Sequence, residues 1–236
     1  MTWADGAWAF VTAAALCGGC GSAPPSRGSA GADAQIEWAP SRGRECSAKA
    51  PYRGACQGPR RVPIAQGAAA SRAHTLGLGS RLAVSRLMIG TPLPAWVEAV
   101  GGSPQSTMRW PVPGGRFFRG FGFVRRSLPD LRHDGVDIAA PVGTPIVAAA
   151  DGLVVYADNG VQGYGNFLAI LHGDGTTTFY AHCRAIYVAA GERVRRGQRV
   201  AEVGLTGITH GPHLHFEWHV HGHPTDPMPR LRRADG

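Results

Sequence analysis

Lysine is nearly absent from this chain of 236 residues: of its 24 basic residues, all but Lys49 are arginine. Acidic residues are also few, 16 in all, which leaves a formal net charge of +8. No basic stretch is interleaved with aromatic residues and no nucleic-acid-binding motif occurs, so no nucleic acid partner is expected. The arginine excess then either serves an anionic wall polymer or lipid surface or reflects only a GC-rich genome. Long apolar runs are missing too. The N-terminal run at 7–16 is too short for a stable bilayer anchor. The five cysteines, Cys17, Cys20, Cys46, Cys56 and Cys183, form no paired C-x-x-C knuckles, which excludes a structural zinc finger. The lone Cys17/Cys20 pair stands outside any βαβ context, against a redox motif. Cys46 and Cys56 either close a short disulfide loop in an oxidising compartment or remain free thiols. H-E-x-x-H does not occur, so the glutamate base of helical zinc proteases is absent. There is no internal repeat.

What the chain does hold is glycine (34) and proline (18), together more than a fifth of it, a composition that favours turn-rich β structure. Residues 1–22 resemble an export or lipoprotein signal, with Gly18 and Gly19 just ahead of Cys20. No Lys or Arg precedes the apolar run, and Leu16 lies one position too far from Cys20 for the usual pattern. The expectation is an exported protein of the periplasm or cell envelope, with Cys20 as a candidate lipid anchor to the membrane. Residues 23–66 are rich in Gly, Ala, Ser, Pro and Arg and too poor in large apolar residues to offset ordering entropy. They are predicted to be a disordered linker that adds nothing to the core. Residues 67–108 carry a weak apolar pattern (Leu82, Leu87, Ile89, Trp96, Val97), broken by Pro92 and Pro94, and predict one short helix at the domain edge.

From about residue 109 to 231 short β-type runs alternate with turn signals. Strands are predicted at Pro145–Ala149, Gly152–Ala157, Phe167–His172, Thr176–His182, Arg199–Val203 and His213–Val220. The fold class is therefore all-β, a small antiparallel β-sheet domain after a largely disordered N-terminal region.

Eight of the ten histidines fall between 172 and 223, with His133 upstream. In His133-Asp-Gly-Val-Asp137 an imidazole and a carboxylate flank a turn that enters a strand, and both can converge on one metal. In Gly211-Pro-His213-Leu-His215-Phe-Glu217 strand alternation puts both imidazoles on one face and Leu214 and Phe216 on the other. Alternation also pairs Tyr180 with His182. His219, His221 and His223 read as a polar strand edge leading into a turn, and His172 as structural.

Taken in order, His133-x-Gly135-x-Asp137, Ala139-Ala140-Pro-x-Gly143-Thr-Pro145, Gly163-Tyr-Gly-Asn166, Tyr180-Ala-His182, Gly197-Gln198 and Gly211-Pro-His213-Leu-His215-Phe-Glu217 resemble the signature of the lysostaphin/LytM zinc metallopeptidases. The likeness spans about residues 110–230. It implies a β-sheet domain with a long narrow substrate groove, Zn2+ held by His133, Asp137 and His215, and His182 and His213 as non-ligand catalytic residues. Tyr180 would support them. It implies a metalloendopeptidase that cuts peptidoglycan peptides and acts as a monomer. The alternative is a non-catalytic member of the fold that binds and activates a wall amidase. Two positions depart from the pattern: His210 replaces a small hydroxyl residue, and Cys183 replaces the usual leucine.

Overall fold

The computed structural model describes residues 60–101, 104–126 and 128–233. The signal, the lipidation candidate Cys20, the Cys46/Cys56 pair and most of the linker lie outside these residues. Three helices come first: α1 (Gly67–Leu76), α2 (Arg81–Ile89) and α3 (Pro94–Val100). Strands follow: β1 (Met108–Arg109), β2 (Arg116–Arg119), β3 (Val124–Arg125), β4 (Leu128–Arg132), β5 (Val136–Ala139), β6 (Pro145–Val147) and β7 (Gly152–Asp158). The second half of the chain supplies β8 (Asn166–Leu171), β9 (Thr177–Ile186), β10 (Arg193–Val194), β11 (Arg199–Val203), β12 (His213–Val220), β13 (His223–Thr225) and β14 (Leu231–Arg232).

The main sheet runs in the order β10-β7-β8-β9-β12-β5-β2 and is antiparallel, with β11, β6 and β13 attached at its sides. As predicted, the domain is predominantly antiparallel β. Its two faces differ. On one, Tyr180, Phe216, Leu214, Ile138, Ile170 and Val154 form a core closed by residues such as Trp110, Val112 and Val200. On the other, Leu153, Val155, Phe167, Ala169, Leu171 and Phe179 pack against Val84, Leu87, Trp96 and Val100 of the helices. Strands β7 and β8 are thus covered on both faces. This is why Leu-Val-Val-Tyr and Phe-Leu-Ala-Ile-Leu are continuous apolar runs rather than alternating ones.

Two expectations need correcting. Residues 67–108 form three helices, not one. Gly77, left-handed at φ 67°, ends α1; Ser80 caps α2 by accepting from Ala83 N at 3.1 Å; and Pro94 opens α3, a position where its missing N–H costs nothing. Each helix is too short to show a clear period, and they hold together through tertiary contact, as in the Trp96 Nε1 donation to Leu76 O at 2.8 Å. The linker boundary also moves. Val62 is buried in the core, Arg61 O accepts from Ile186 N at 2.9 Å, and Arg60 Nη2 donates to Asp158 at 2.9 Å. One apolar side chain and a backbone bond suffice to dock a segment whose average composition reads as linker. Among the described residues no helix is long and apolar enough to cross a membrane.

Candidate metal centre and groove

The helix-covered face continues past β9 onto β12 and β5, where it opens as a groove of about 640 Å³. Register fixes what lies across it. His215 pairs with Asp137, and Asp137 with Arg119; His213 pairs with Ala139, and Ala139 with Arg116. His213 and His215 therefore share the groove face, while Leu214 and Phe216 enter the core. His133 reaches the same point from the loop before β5. Gly135 makes this possible: a Cβ there would lie 2.3 Å from Phe216 O, so only glycine lets the loop sit against β12.

Three donor atoms meet. His133 Nε2 lies 2.9 Å from Asp137 Oδ1 and 3.0 Å from His215 Nδ1, and the last two atoms are 3.0 Å apart. The far side of each ring decides its tautomer. His133 Nδ1–H donates to Gly120 O at 2.8 Å, and His215 Nε2–H donates to Glu217 Oε1 at 2.8 Å. Both acceptors lack a proton, so the inward nitrogens present lone pairs toward a carboxylate oxygen. Lone pairs converging in this way repel unless a positive charge lies among them. A ring proton is the other way to supply that positive charge: burial opposes ionisation of Asp137, yet hydrogen bonds donated by the His133 and His215 rings hold its carboxyl far below the usual carboxylate range. For His215, burial is outweighed by Asp137 and Glu217, which push its pKa up to about 10. Edges of 2.9–3.0 Å leave room for one ion at ordinary zinc–ligand distances of about 2.0–2.2 Å from all three atoms. The donor set fits zinc.

The other two predicted residues flank this triangle. His182 and His213 have ring centroids 4.8 Å apart, and His182 lies 5.9 Å from His215. His182 Nδ1–H donates to Thr206 O at 2.8 Å and His213 Nδ1–H to Gly211 O at 2.8 Å, so each leaves Nε2 as a base. His213 Nε2 stands 3.6 Å from Asp137 Oδ1. Burial, helped by His213 and His215, lowers the His182 pKa to about 3; burial also lowers that of His213.

Alternation does not deliver His182 to the groove. Tyr180 faces the core, where its hydroxyl accepts from Ala149 N at 2.9 Å, and burial pushes its pKa up to about 12. His182 sits at φ 62°, where β9 bulges against β8, and the extra residue turns its ring to the site. Tyr180 and His182 thus part company, contrary to the sequence expectation. His219 is a second correction. It is buried, not a strand edge, and Nε2–H donates to Glu217 Oε2 at 2.6 Å. Glu217 also accepts from Tyr164 Oη at 2.9 Å, and its pKa falls to about 2 because donation from His215 and His219 outweighs burial. This network, and Arg119 Nη1 donating to Asp137 Oδ2 at 3.1 Å, went unpredicted. The Phe-Glu ending of the β12 motif was the only sign of the former, and the β2 bulge hid the latter. His210 lines the groove exposed and outside the donor triangle; His172 is buried with both ring nitrogens bonded. Burial raises the Cys183 thiol pKa and keeps it inert.

Residues 131–227, which include all five of these positions, match the profile of Peptidase family M23. The chain belongs to this family. Over 109 residues, 44% of this chain and 25% of the relative, it is 43% identical to DD-carboxypeptidase/endopeptidase Mpg of Neisseria meningitidis. Over 126 residues, 53% of this chain and 31% of the relative, it is 39% identical to murein hydrolase activator NlpD of Escherichia coli. The chain thus spans between a quarter and a third of the length of these curated relatives. A zinc-containing peptidase from Vibrio cholerae is 36% identical, with a TM-score of 0.49, over 53% of this chain and 40% of that one. The M23 family thus joins peptidoglycan endopeptidases and a murein hydrolase activator among the relatives of this domain.

Proposed function

We propose that this M23 protein is a zinc-dependent endopeptidase that hydrolyses peptide cross-links of bacterial peptidoglycan. The observation that carries this reading is the meeting of three donors whose outward partners leave their inward atoms bare. His133, Asp137 and His215 would hold the ion, which when bound supplies Lewis acidity and activates water. The proton work then belongs to His182 and His213. Each is neutral, fixed through Nδ1 to a backbone carbonyl, and presents Nε2. One takes the proton of the attacking water on Nε2 and becomes an imidazolium, and that same proton is handed on to the leaving amine, directly or through Nε2 of the other ring. The groove suits an extended peptide with small residues better than a folded protein. An exported monomer working in the cell envelope, tethered through Cys20, fits this substrate.

The likeness to an activator keeps a second reading in view: a domain that binds and switches on a wall amidase. The five filled positions favour catalysis, since an activator has no use for two bare Nε2 atoms beside a metal triad. The test is digestion of purified peptidoglycan by the full zinc-loaded chain, with released fragments identified by mass spectrometry. New peptide termini without any added enzyme are expected. Products that appear only when an amidase is added would establish the activator instead.

A further inference from the structure

The wall of the groove beyond Asp137 is cationic. Two rows of side chains cross the sheet there: Arg119–Asp137–His215, and Arg116–Ala139–His213. In the second row Ala139 offers only a methyl group, so an open lane leads from His213 to Arg116. Neighbouring strands lie about 4.8 Å apart, which makes this lane about 10 Å long. Arg119 is held in place at the end of the first row. Its guanidinium lies 5.3 Å from the Phe118 ring and 5.1 Å from the Phe123 ring, and one N–H is committed to Asp137. A guanidinium carries five N–H donors, so Arg119, about a fifth exposed, retains others. Arg116 is exposed and has no carboxylate within ion-pair distance among the described residues. Of the acids that line the groove, Asp137 belongs to the donor triangle and Glu217 to the buried network. Only Asp134, beyond His133, is left to balance the arginines.

We propose that Arg116 and Arg119 form a carboxylate-binding subsite beside the metal triad, one that selects cross-links carrying a free carboxylate next to the scissile amide. Such a group arises where a D-amino acid is joined to the distal amine of a diamino dicarboxylic acid, whose carboxyl on that same carbon stays free. An uncharged oligoglycine bridge has nothing to place there. The inference rests on the peptidase reading above for the identity of the substrate, but the subsite itself is defined by binding.

The experiment uses the full zinc-loaded chain and two peptides in which the scissile amide is replaced by a non-hydrolysable link. They differ only in whether the neighbouring carboxyl is free or amidated. At low salt the free form should bind about three- to tenfold more tightly, the range expected for a partly solvated charged pair with arginine. Arg116→Gln should shrink that ratio, and Arg116→Glu should invert it. Equal affinity of the two peptides for the unaltered protein, no measurable binding of either, or an unchanged ratio in Arg116→Glu would overturn the subsite. The hydrolysable versions keep the two readings apart. Discrimination without cleavage would sink the peptidase and leave the subsite standing; cleavage of both without discrimination would do the reverse.

Discussion

The same sheet face has two ends, and they are kept in order by different forces. At the β7–β8 end, Leu153, Val155, Phe167 and Leu171 are sealed by Val84, Leu87, Trp96 and Val100, an apolar contact without direction. At the β12–β5 end no helix among the described residues seals the face, which opens as the groove, and each ring is held by a hydrogen bond on its far side: His133 to Gly120, His182 to Thr206, His213 to Gly211, His215 to Glu217. Tyr164 and the tilted Phe179–His219 ring pair, 4.4 Å between centroids, join the two ends. The closed end supplies stability, and the open end spends its polar groups on orientation. A site of this kind needs a stable neighbour, because bare donors aimed at one another do not hold themselves together.

Removing the cover should do the most harm. A chain begun at Gly101 exposes the apolar face that Val84, Leu87, Trp96 and Val100 seal. At about 1.5–3 kcal/mol for each buried side chain, the loss is comparable with the whole stability of a domain. No cooperative thermal transition is expected. A melting temperature matching the full chain would show the helices to be dispensable. Leu87→Ala is the milder version, costing about 2–5 kcal/mol in denaturant unfolding. Zinc stoichiometry in the folded protein should not change, and a loss of metal would show that the two ends are not separable. Glu217→Gln acts at the other end. The amide can still accept from His215, but it turns an NH₂ toward donors and removes the charge. Zinc affinity, measured against a chelator, should fall by about 10–100-fold. An unchanged affinity would mean that Glu217 only fills space.

Much of the open end was legible in the sequence because strand alternation is a strict rule. His213 and His215, spaced by two and bounded by Gly211-Pro212, face the groove together, and His133-Asp-Gly-Val-Asp137 turns into β5 beside them. The limits of the rule were also the limits of legibility. His182 reaches the groove through a bulge and a left-handed φ that alternation cannot express, so Tyr180 was placed with it wrongly. His219 lies among histidines that resemble a polar edge, and only the fold shows Phe179 and Glu217 around it. The closed end was the least legible. Pro92 and Pro94 cut the pattern of residues 67–100 into lengths too short to show a period, and Val62 is one apolar residue in a polar-looking stretch.

The central claim is that ligand and proton-transfer histidines alternate along β12, and metal analysis of two variants beside a wall-hydrolysis assay tests it most directly. His215→Ala should lose zinc and activity together. His213→Ala should keep one zinc per chain while turnover falls by about 10²–10⁴-fold. Zinc retained in His215→Ala but lost in His213→Ala, or full activity in His213→Ala, would contradict the account.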